Sequence, residues 1–127
     1  MIRSHRDLIA WQVARELARE ICVATRAWPK EELYALSAQI RRAAVSVPSN
    51  IAEGNGREST QEYLRFLSIA YGSLMEVDTQ VAIAQDLGYL NETQLKVFER
   101  LIERVGQLLN ALKRSLKQCK QKDEARS

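Results

Sequence analysis

The sequence predicts an all-α protein folded as an antiparallel up-down-up-down four-helix bundle, and three observations support this. Only 5 glycines and 2 prolines occur among 127 residues, whereas Ala, Leu, Arg, Glu and Gln, which favour helix, are abundant. Apolar residues recur at three- and four-residue steps over four stretches. Short connecting segments make consecutive helices antiparallel neighbours. The length predicts a single domain over residues 1–127.

The first predicted helix spans about residues 7–27, with Asp7 as its N-cap. Pro29 disfavours helical geometry at Trp28 and is expected to end this helix. The apolar face carries Ala10, Val13, Ala14, Leu17, Ile21, Ala24 and Trp28.

The second predicted helix spans about residues 30–53, with Pro29 close to its first turn. Glu31 and Glu32 then lie near its N-terminus, where the helix dipole favours acidic side chains. The connection to the first helix is therefore short.

A proline inside the second helix is its most unusual feature. Pro48 removes a backbone N–H donor and crowds the preceding turn, which predicts a kink. Ser46 or Ser49 is expected to bond the freed backbone groups. Gly54 and Gly56 are expected to end the helix.

The third predicted helix spans about residues 59–87 and is expected to be the longest. Ser59, followed three positions later by Glu62, matches a capping box. Gly72 within it costs about 1 kcal/mol relative to alanine unless close packing requires it.

The fourth predicted helix spans about residues 91–117, with Asn91 as N-cap and Gln94 three positions later. Residues 118–127 are expected to form a frayed basic, polar tail. This helix has a heptad pattern with an additional apolar stripe, which includes Leu101 and Leu108. The additional stripe predicts a homo-oligomer.

Charge and cysteine usage restrict the class of protein only weakly. The net charge of +3 and the pI near 9.0 permit an acidic partner without requiring one. Cys22 is expected to be a small buried residue and Cys119 an exposed thiol. No secretory signal or membrane-spanning run is apparent, so we expect a cytoplasmic protein with no membrane partner.

Enzymatic function is not expected. His5 is the single histidine and lies in an N-terminal segment predicted to be mobile, which is a poor position for a catalytic base. Neither a metal-ligand motif nor a phosphate-loop or dinucleotide fingerprint occurs. The sequence therefore predicts no catalytic residues, no metal site and no cofactor.

Arg41 and Arg42 are adjacent in the second helix and therefore point about 100° apart. One interpretation is structural, with at least one of them in an ion pair with Glu53 or Glu76. The other is a phosphate clamp, for which the guanidinium fork is suited. Both interpretations remain open at this point.

A polar group follows the helix proline. Asn50 and Glu53 are interpreted either as local caps of the kinked helix end or, with Gly54 and Arg57, as a polar patch that binds a partner. Arg57 is also a candidate nucleic-acid contact.

The end of the fourth helix is basic, and Lys113, Arg114 and Lys117 are candidate nucleic-acid contacts. The alternative interpretation is a solvated helix end whose cations complement the helix dipole. Its cations are Lys113, Arg114, Lys117, Lys120 and Lys122, with no acidic residue among them.

Several ordered motifs, from His5 to about Leu116, resemble a known family. They are Asp7-Leu8 with Trp11-Gln12, Trp28-Pro29-Lys30-Glu31-Glu32, Gln39-Ile40-Arg41-Arg42-Ala43-Ala44, Ser49-Asn50-Ile51-Ala52-Glu53-Gly54 and Ala70-Tyr71-Gly72-Ser73-Leu74-Met75-Glu76. Together they resemble the four-helix bundle family of the 23S rRNA intervening-sequence protein, also called the S23 ribosomal protein family.

This resemblance implies a bacterial bundle that assembles as a ring-shaped homopentamer, similar to the accessory protein of diversity-generating retroelements. That relative works with a reverse transcriptase and has a nucleic-acid-binding character. We therefore expect a non-enzymatic oligomeric bundle that binds RNA or DNA backbone, as an accessory to a reverse-transcribing or RNA-processing partner. The alternative is a protein-interaction scaffold with no nucleic-acid role.

Overall fold

The computed structural model describes residues 4–31 and 35–126, and these residues form four α-helices and one short 3₁₀ helix. The α-helices are α1 (Ile9–Thr25), α2 (Leu36–Asn55), α3 (Thr60–Asp86) and α4 (Glu92–Arg126). The predicted all-α fold is confirmed, and the described residues contain no strand.

The chain reaches α1 through a 3₁₀ helix, His5–Asp7, that the sequence analysis did not foresee. Ser4 caps it, because its hydroxyl accepts from the Arg6 N–H at 3.2 Å and its own N–H donates to Asp7 Oδ2 at 3.3 Å. Asp7 is thus the last residue of this short turn. Its predicted role as the N-cap of α1 is wrong, since Leu8 occupies that position and makes no side-chain cap.

The second helix begins at Leu36, six residues later than predicted. Ala35 precedes it in the left-handed region, with φ 50° and ψ 46°, and provides no side-chain cap. Because a left-handed residue breaks the helical hydrogen-bond pattern, α2 cannot extend continuously back to residue 30. Glu32, predicted to lie in its first turn, is outside the described residues.

Helix α2 continues through Pro48 and ends at Asn55, with Gly56 as its C-cap. The Ser49 hydroxyl donates to the Val45 carbonyl at 2.8 Å. Pro48 has no N–H to donate to the Ala44 carbonyl. The Ser49 bond lies in the same turn, but its acceptor is the next carbonyl, that of Val45, and not the carbonyl of Ala44. Gly54, predicted to help end the helix, lies inside it and is buried.

Both ends of α3 are capped, although only one of the two hydrogen bonds of the predicted capping box is present at its start. The Ser59 hydroxyl accepts from the Glu62 N–H at 3.0 Å. At the other end Gly88 has φ 77°. The Gly88 N–H donates to Gln85 O and the Tyr89 N–H to Ala84 O, which is a Schellman motif.

Helix α4 begins with a reciprocal capping box, in which the Asn91 N–H donates to Gln94 Oε1 and the Gln94 N–H to Asn91 Oδ1. It has 35 residues against 27 in α3, so the expectation that the third helix is the longest is wrong. The predicted frayed tail is also wrong, because residues 118–126 are helical.

The four helices form a square bundle. Each packs against the next one in the chain, and α1 also packs against α4, whereas the diagonal pairs are not in contact. Cross-helix contacts between α2 and α3 join Ser46 to Ser73 and Asn55 to Tyr63, so these two helices run antiparallel. The bundle therefore has two ends: a first end with the start of α1 and the C-terminal half of α4, and a second end with the end of α1 and the start of α2.

The core lies between the four helices. Its fully buried large side chains are Leu17, Ile21, Ile40, Ile51, Leu67, Leu74, Leu109, Val47, Val77 and Val105. Leu101, part of the extra stripe from which oligomerisation was inferred, is only 4% exposed. That stripe is therefore largely used inside the bundle. No described helix is long and apolar enough to cross a membrane.

Candidate functional surfaces

Arg41 is held by helix α1. Its Nε donates to Thr25 Oγ1 at 2.6 Å, and the Thr25 hydroxyl donates to the Cys22 carbonyl at 3.1 Å. Thr25 is 3% exposed, so the bond fixes the Arg41 guanidinium to a buried side chain of α1. The predicted ion pair with Glu53 or Glu76 is wrong for Arg41, because it faces α1. Cys22, expected to be buried, is half-buried, whereas Cys119 is exposed as expected.

Arg42 points into a groove between α2 and α3. The α2–α3 groove has a volume of about 340 Å³ and is lined by Gln39, Arg42, Ala43, Ser46, Ser73, Glu76 and Gln80. Arg42 and Glu76 share this groove, but neither makes an ion pair with any residue the structure describes. The predicted pair is therefore wrong for Arg42 as well.

A chain of hydrogen bonds crosses the floor of the α2–α3 groove. The hydroxyls of Ser46 and Ser73 lie 2.8 Å apart. Asn50 Nδ2 donates to the Ser46 carbonyl at 2.8 Å and to the Ser46 hydroxyl oxygen at 2.9 Å. Asn50 is thus bonded to the preceding turn of its own helix, as its interpretation as a local cap implies. Gln80 Oε1 is buried nearby without a hydrogen-bond partner.

Arg57 lies in the connection after α2 and contacts both charge and an aromatic ring. Its Nη2 lies 3.9 Å from Glu53 Oε2, with both side chains about half exposed. The guanidinium carbons of Arg57 and Arg65 lie 4.7 and 4.8 Å from the centroid of the Phe66 ring. Arg57 is thus held by ordinary structural contacts and remains exposed.

Gly54 does not belong to an exposed polar patch, although the sequence analysis placed it there. It is buried against α3. A Cβ added at this position would lie 2.9 Å from Phe66 Cβ and 3.0 Å from Tyr63 Cδ1. The absence of a side chain therefore permits α2 and α3 to approach closely at the first end of the bundle. Burial here also raises the pKa of Tyr63, whose hydroxyl donates to Asn55 Oδ1 at 3.2 Å.

The cations at the end of α4 lie on a continuous helix. Residues at i, i+4 and i+7 share one face of a helix, so Lys113, Lys117 and Lys120 form one row, called here the α4 basic ridge. Lys113 Nζ lies 5.4 Å from the centroid of the Tyr71 ring on α3. Arg114, the third candidate in this region, is exposed but lies about 100° away around the helix.

A cluster around Trp11 was missed by the sequence analysis. The guanidinium carbons of Arg6 and Arg15 each lie 5.5 Å from the Trp11 ring centroid. His5 packs against the same ring with centroids 5.1 Å apart, so its expected position in a mobile segment is wrong. The available signal was the four-residue step from Trp11 to Arg15, which places the two side chains on one face.

Within residues 4–31 and 35–126, no group of three His, Cys, Asp or Glu side chains is arranged so that it could hold a metal ion.

Comparisons with known proteins agree with the fold. A family model described as 23S rRNA-intervening sequence protein matches residues 6–111. The chain is similar to a crystal structure of a protein of unknown function from the S23 ribosomal protein family of Bacteroides thetaiotaomicron, with a TM-score of 0.75 and 19% identity over 84% of this chain and 96% of that one. None of the curated proteins compared with the chain matches it.

Proposed function

Because this chain belongs to the 23S rRNA-intervening sequence protein family, we propose that it is a non-enzymatic bundle that binds the phosphate backbone of RNA or DNA through the C-terminal half of α4. The family description refers to an intervening sequence of 23S rRNA and names no reaction. The proposal includes an accessory role beside a reverse-transcribing or RNA-processing partner. The genes that flank this one test that role, since a reverse transcriptase or an rRNA gene among them would support it.

The observation that carries the proposal is the α4 basic ridge, together with Arg114 and Lys122, which lie beside it in the sequence. Five cations and no acidic residue occur from Lys113 to Lys122, whereas the whole chain has a net charge of only +3. The rest of the chain therefore has a slightly negative net charge, of about −2. A phosphate backbone attracts such a row of cations, because each contact releases condensed counterions from the nucleic acid.

The salt dependence of binding to a labelled RNA duplex tests the proposal. Replacing Lys113, Lys117 and Lys120 with glutamine is expected to weaken binding and to reduce the slope of log K against log salt by about 3, roughly one for each phosphate contact. Fluorescence anisotropy at several salt concentrations measures both quantities.

A second triple variant on the same helix is the matched control. Replacing Lys96, Arg100 and Arg104 with glutamine removes the same amount of charge from the N-terminal half of α4. This control is expected to retain most of the affinity and the slope. Equal losses in both variants would show that net charge alone drives binding, and the absence of binding at low salt would refute the proposal.

The second candidate function is a protein-interaction scaffold, and exposed apolar side chains on α3 favour it. Ile69, Met75 and Ile83 are 40%, 38% and 43% exposed. Gly72, on the same outward side of α3, has open space where a Cβ would be, so another chain could approach this face closely. The homo-oligomer, and the homopentamer that the family resemblance implies, are proposed to use this face.

Light scattering combined with size-exclusion chromatography tests the oligomer. We expect a mass several times 14.5 kDa for the wild type and a smaller mass for Ile83→Glu. Val23→Glu is the control, because Val23 is similarly exposed, at 49%, but lies on α1. A wild type that remains monomeric at micromolar concentration would exclude self-association, and a scaffold role would then require a different partner.

A further inference from the structure

An aromatic ring lies beside the α4 basic ridge. Tyr71 of α3 is half-buried, and the Nζ of Lys113, the first residue of the ridge, lies 5.4 Å from the centroid of its ring. The ring is therefore next to the cations that are proposed to bind phosphate. Phosphate binding by the ridge makes no use of this ring.

A glycine of α4 leaves space beside the ring. Gly106 precedes Lys113 by seven residues, so both lie on the side of α4 that faces Tyr71. A Cβ added to Gly106 would lie 3.6 Å from Leu74 Cδ2 and 3.9 Å from Tyr71 Cε2, which are ordinary contact distances. Because Gly106 has no side chain, nothing from this position of α4 covers the Tyr71 ring.

An exposed amide lies between the glycine and the lysine. Asn110 follows Gly106 by four residues and precedes Lys113 by three, so the three residues lie along one side of α4, and Asn110 is exposed. A side-chain amide carries both donors and an acceptor, and such groups can bond the edge of an unpaired base. Tyr71, Gly106, Asn110 and Lys113 are called here the tyrosine shelf.

The Lys113 ammonium can be exchanged for a base at the Tyr71 ring. A cation–π contact at an exposed site is a weak interaction, whereas a nucleic-acid base stacked on an aromatic side chain contributes more. The lysine stem is flexible, so Nζ can move from the ring to a phosphate beside the stacked base. The exchange therefore gains a stacked base and a phosphate contact and loses only the weaker interaction.

The ring distinguishes single strands from duplexes. Bases in a duplex are paired and stacked on each other, whereas those of a single strand can stack on aromatic side chains. We propose that the tyrosine shelf binds a base of a single-stranded nucleic acid, with Tyr71 as the stacking surface and the α4 basic ridge holding the neighbouring phosphates. This inference rests on the function proposed for the ridge and adds a contact that only a single strand can use.

Two labelled ligands test the proposal. One is an oligouridylate of about 12 nucleotides, a length within the range that single-strand-binding domains cover, and the other is an RNA duplex of the same length. Fluorescence anisotropy in one buffer gives the affinity of each variant for both ligands. Repetition at several salt concentrations gives the slope of log K against log salt.

Replacement of Tyr71 is the main variant. Tyr71→Leu is expected to weaken binding of the oligouridylate about tenfold, as the loss of one stacked base implies, and to leave binding of the duplex unchanged. Leucine removes no charge, so the slope with salt is expected to stay the same for both ligands. Tyr71→Phe retains the ring and is expected to retain the affinity for the oligouridylate.

Tyr89→Leu is the matched control. Tyr89 is also half-buried, but its ring packs against Trp28 at the second end of the bundle, with centroids 5.3 Å apart. This variant is expected to bind both ligands as the wild type does. If Tyr71→Leu does not fold, Gly106→Leu serves instead, because its side chain would fill the space beside the ring while its Cβ makes ordinary contacts. It is expected to lower the affinity for the oligouridylate alone.

A loss confined to the oligouridylate in Tyr71→Leu or in Gly106→Leu, with Tyr71→Phe unaffected, would support the proposal. Wild-type affinity in both leucine variants, an equal loss for the duplex, an equal loss in Tyr71→Phe, or an equal loss in Tyr89→Leu would refute it. Duplex binding that still depends on Lys113, Lys117 and Lys120 would leave the function proposed for the ridge intact in those cases. The absence of binding to either ligand at low salt would refute that function and this inference together.

Discussion

Replacement of Gly54 by alanine is expected to destabilise the bundle, because the new methyl group has no room between α2 and α3. It would lie 2.9 Å from Phe66 Cβ, 3.0 Å from Tyr63 Cδ1 and 3.2 Å from the Tyr63 carbonyl oxygen. Phe66 Cβ and the Tyr63 carbonyl cannot move away by a rotamer change, so the two helices would have to separate. Overpacking of this kind costs about 1–3 kcal/mol.

Gly72→Ala separates this steric cost from helix propensity. Gly72 is also inside a helix, but nothing lies within 4 Å of its added Cβ. At an exposed position in the middle of a helix, alanine is favoured over glycine by about 1 kcal/mol. We therefore expect Gly72→Ala to raise the free energy of unfolding by about 1 kcal/mol and Gly54→Ala to lower it by about 1–2 kcal/mol, because any propensity gain next to the end of α2 is smaller.

Urea unfolding followed by far-UV circular dichroism measures both changes, provided that the slopes with denaturant agree. Each variant is measured at two protein concentrations, so that a contribution from self-association through the α3 face becomes visible. A Gly54→Ala protein that unfolds at the same urea concentration as the wild type, or at a higher one, would contradict the close approach of α2 and α3.

Two further predictions concern the same pair of helices. Ser46→Ala is expected to lower the free energy of unfolding by about 1–3 kcal/mol, because it leaves the buried Ser73 hydroxyl without its partner. Ser73→Ala should lower it less, since the Ser46 hydroxyl still bonds Asn50. Equal losses in urea unfolding would contradict this. Burial raises the pKa of Tyr63 above its ordinary value of 10.0, so folding favours the neutral phenol. The stability associated with the neutral phenol is fully present below the pKa that Tyr63 has in the unfolded chain, and it is lost as pH rises through the folded pKa. The wild type should therefore lose stability more steeply above about pH 10 than Tyr63→Phe, and parallel pH profiles would argue against that role.

Most of the helices could be predicted because their signals are local. Ser59 and Asn91 cap their helices as expected, and Gly88 ends α3. These features depend on residues within one turn of each other, so sequence spacing describes them well. The end of α4 was predicted wrongly because the polar composition of residues 118–127 was interpreted as the end of the helix. No glycine or proline occurs after Gly106 to stop the helix.

Features that depend on which side of one helix faces its neighbour could not be predicted. Arg41 bonds Thr25, which is sixteen residues away, and its partner is decided by which side of α2 faces α1. Gly54 was interpreted as a helix end because glycine commonly has that role. The actual reason is a steric contact with Phe66 that exists only when α2 and α3 are packed together.

The length of α4 makes its last turns different from the rest of the bundle. Leu116 is the last residue of α4 that packs against the core, and an isolated helix as short as residues 117–126 is marginal in water. The final turns therefore depend on propagation from the packed part of α4. Lys113 and Lys117 repel each other across one turn, which opposes that propagation. Neutralisation by a polyanion would remove the repulsion, so ligand binding and helix length in this segment are thermodynamically linked.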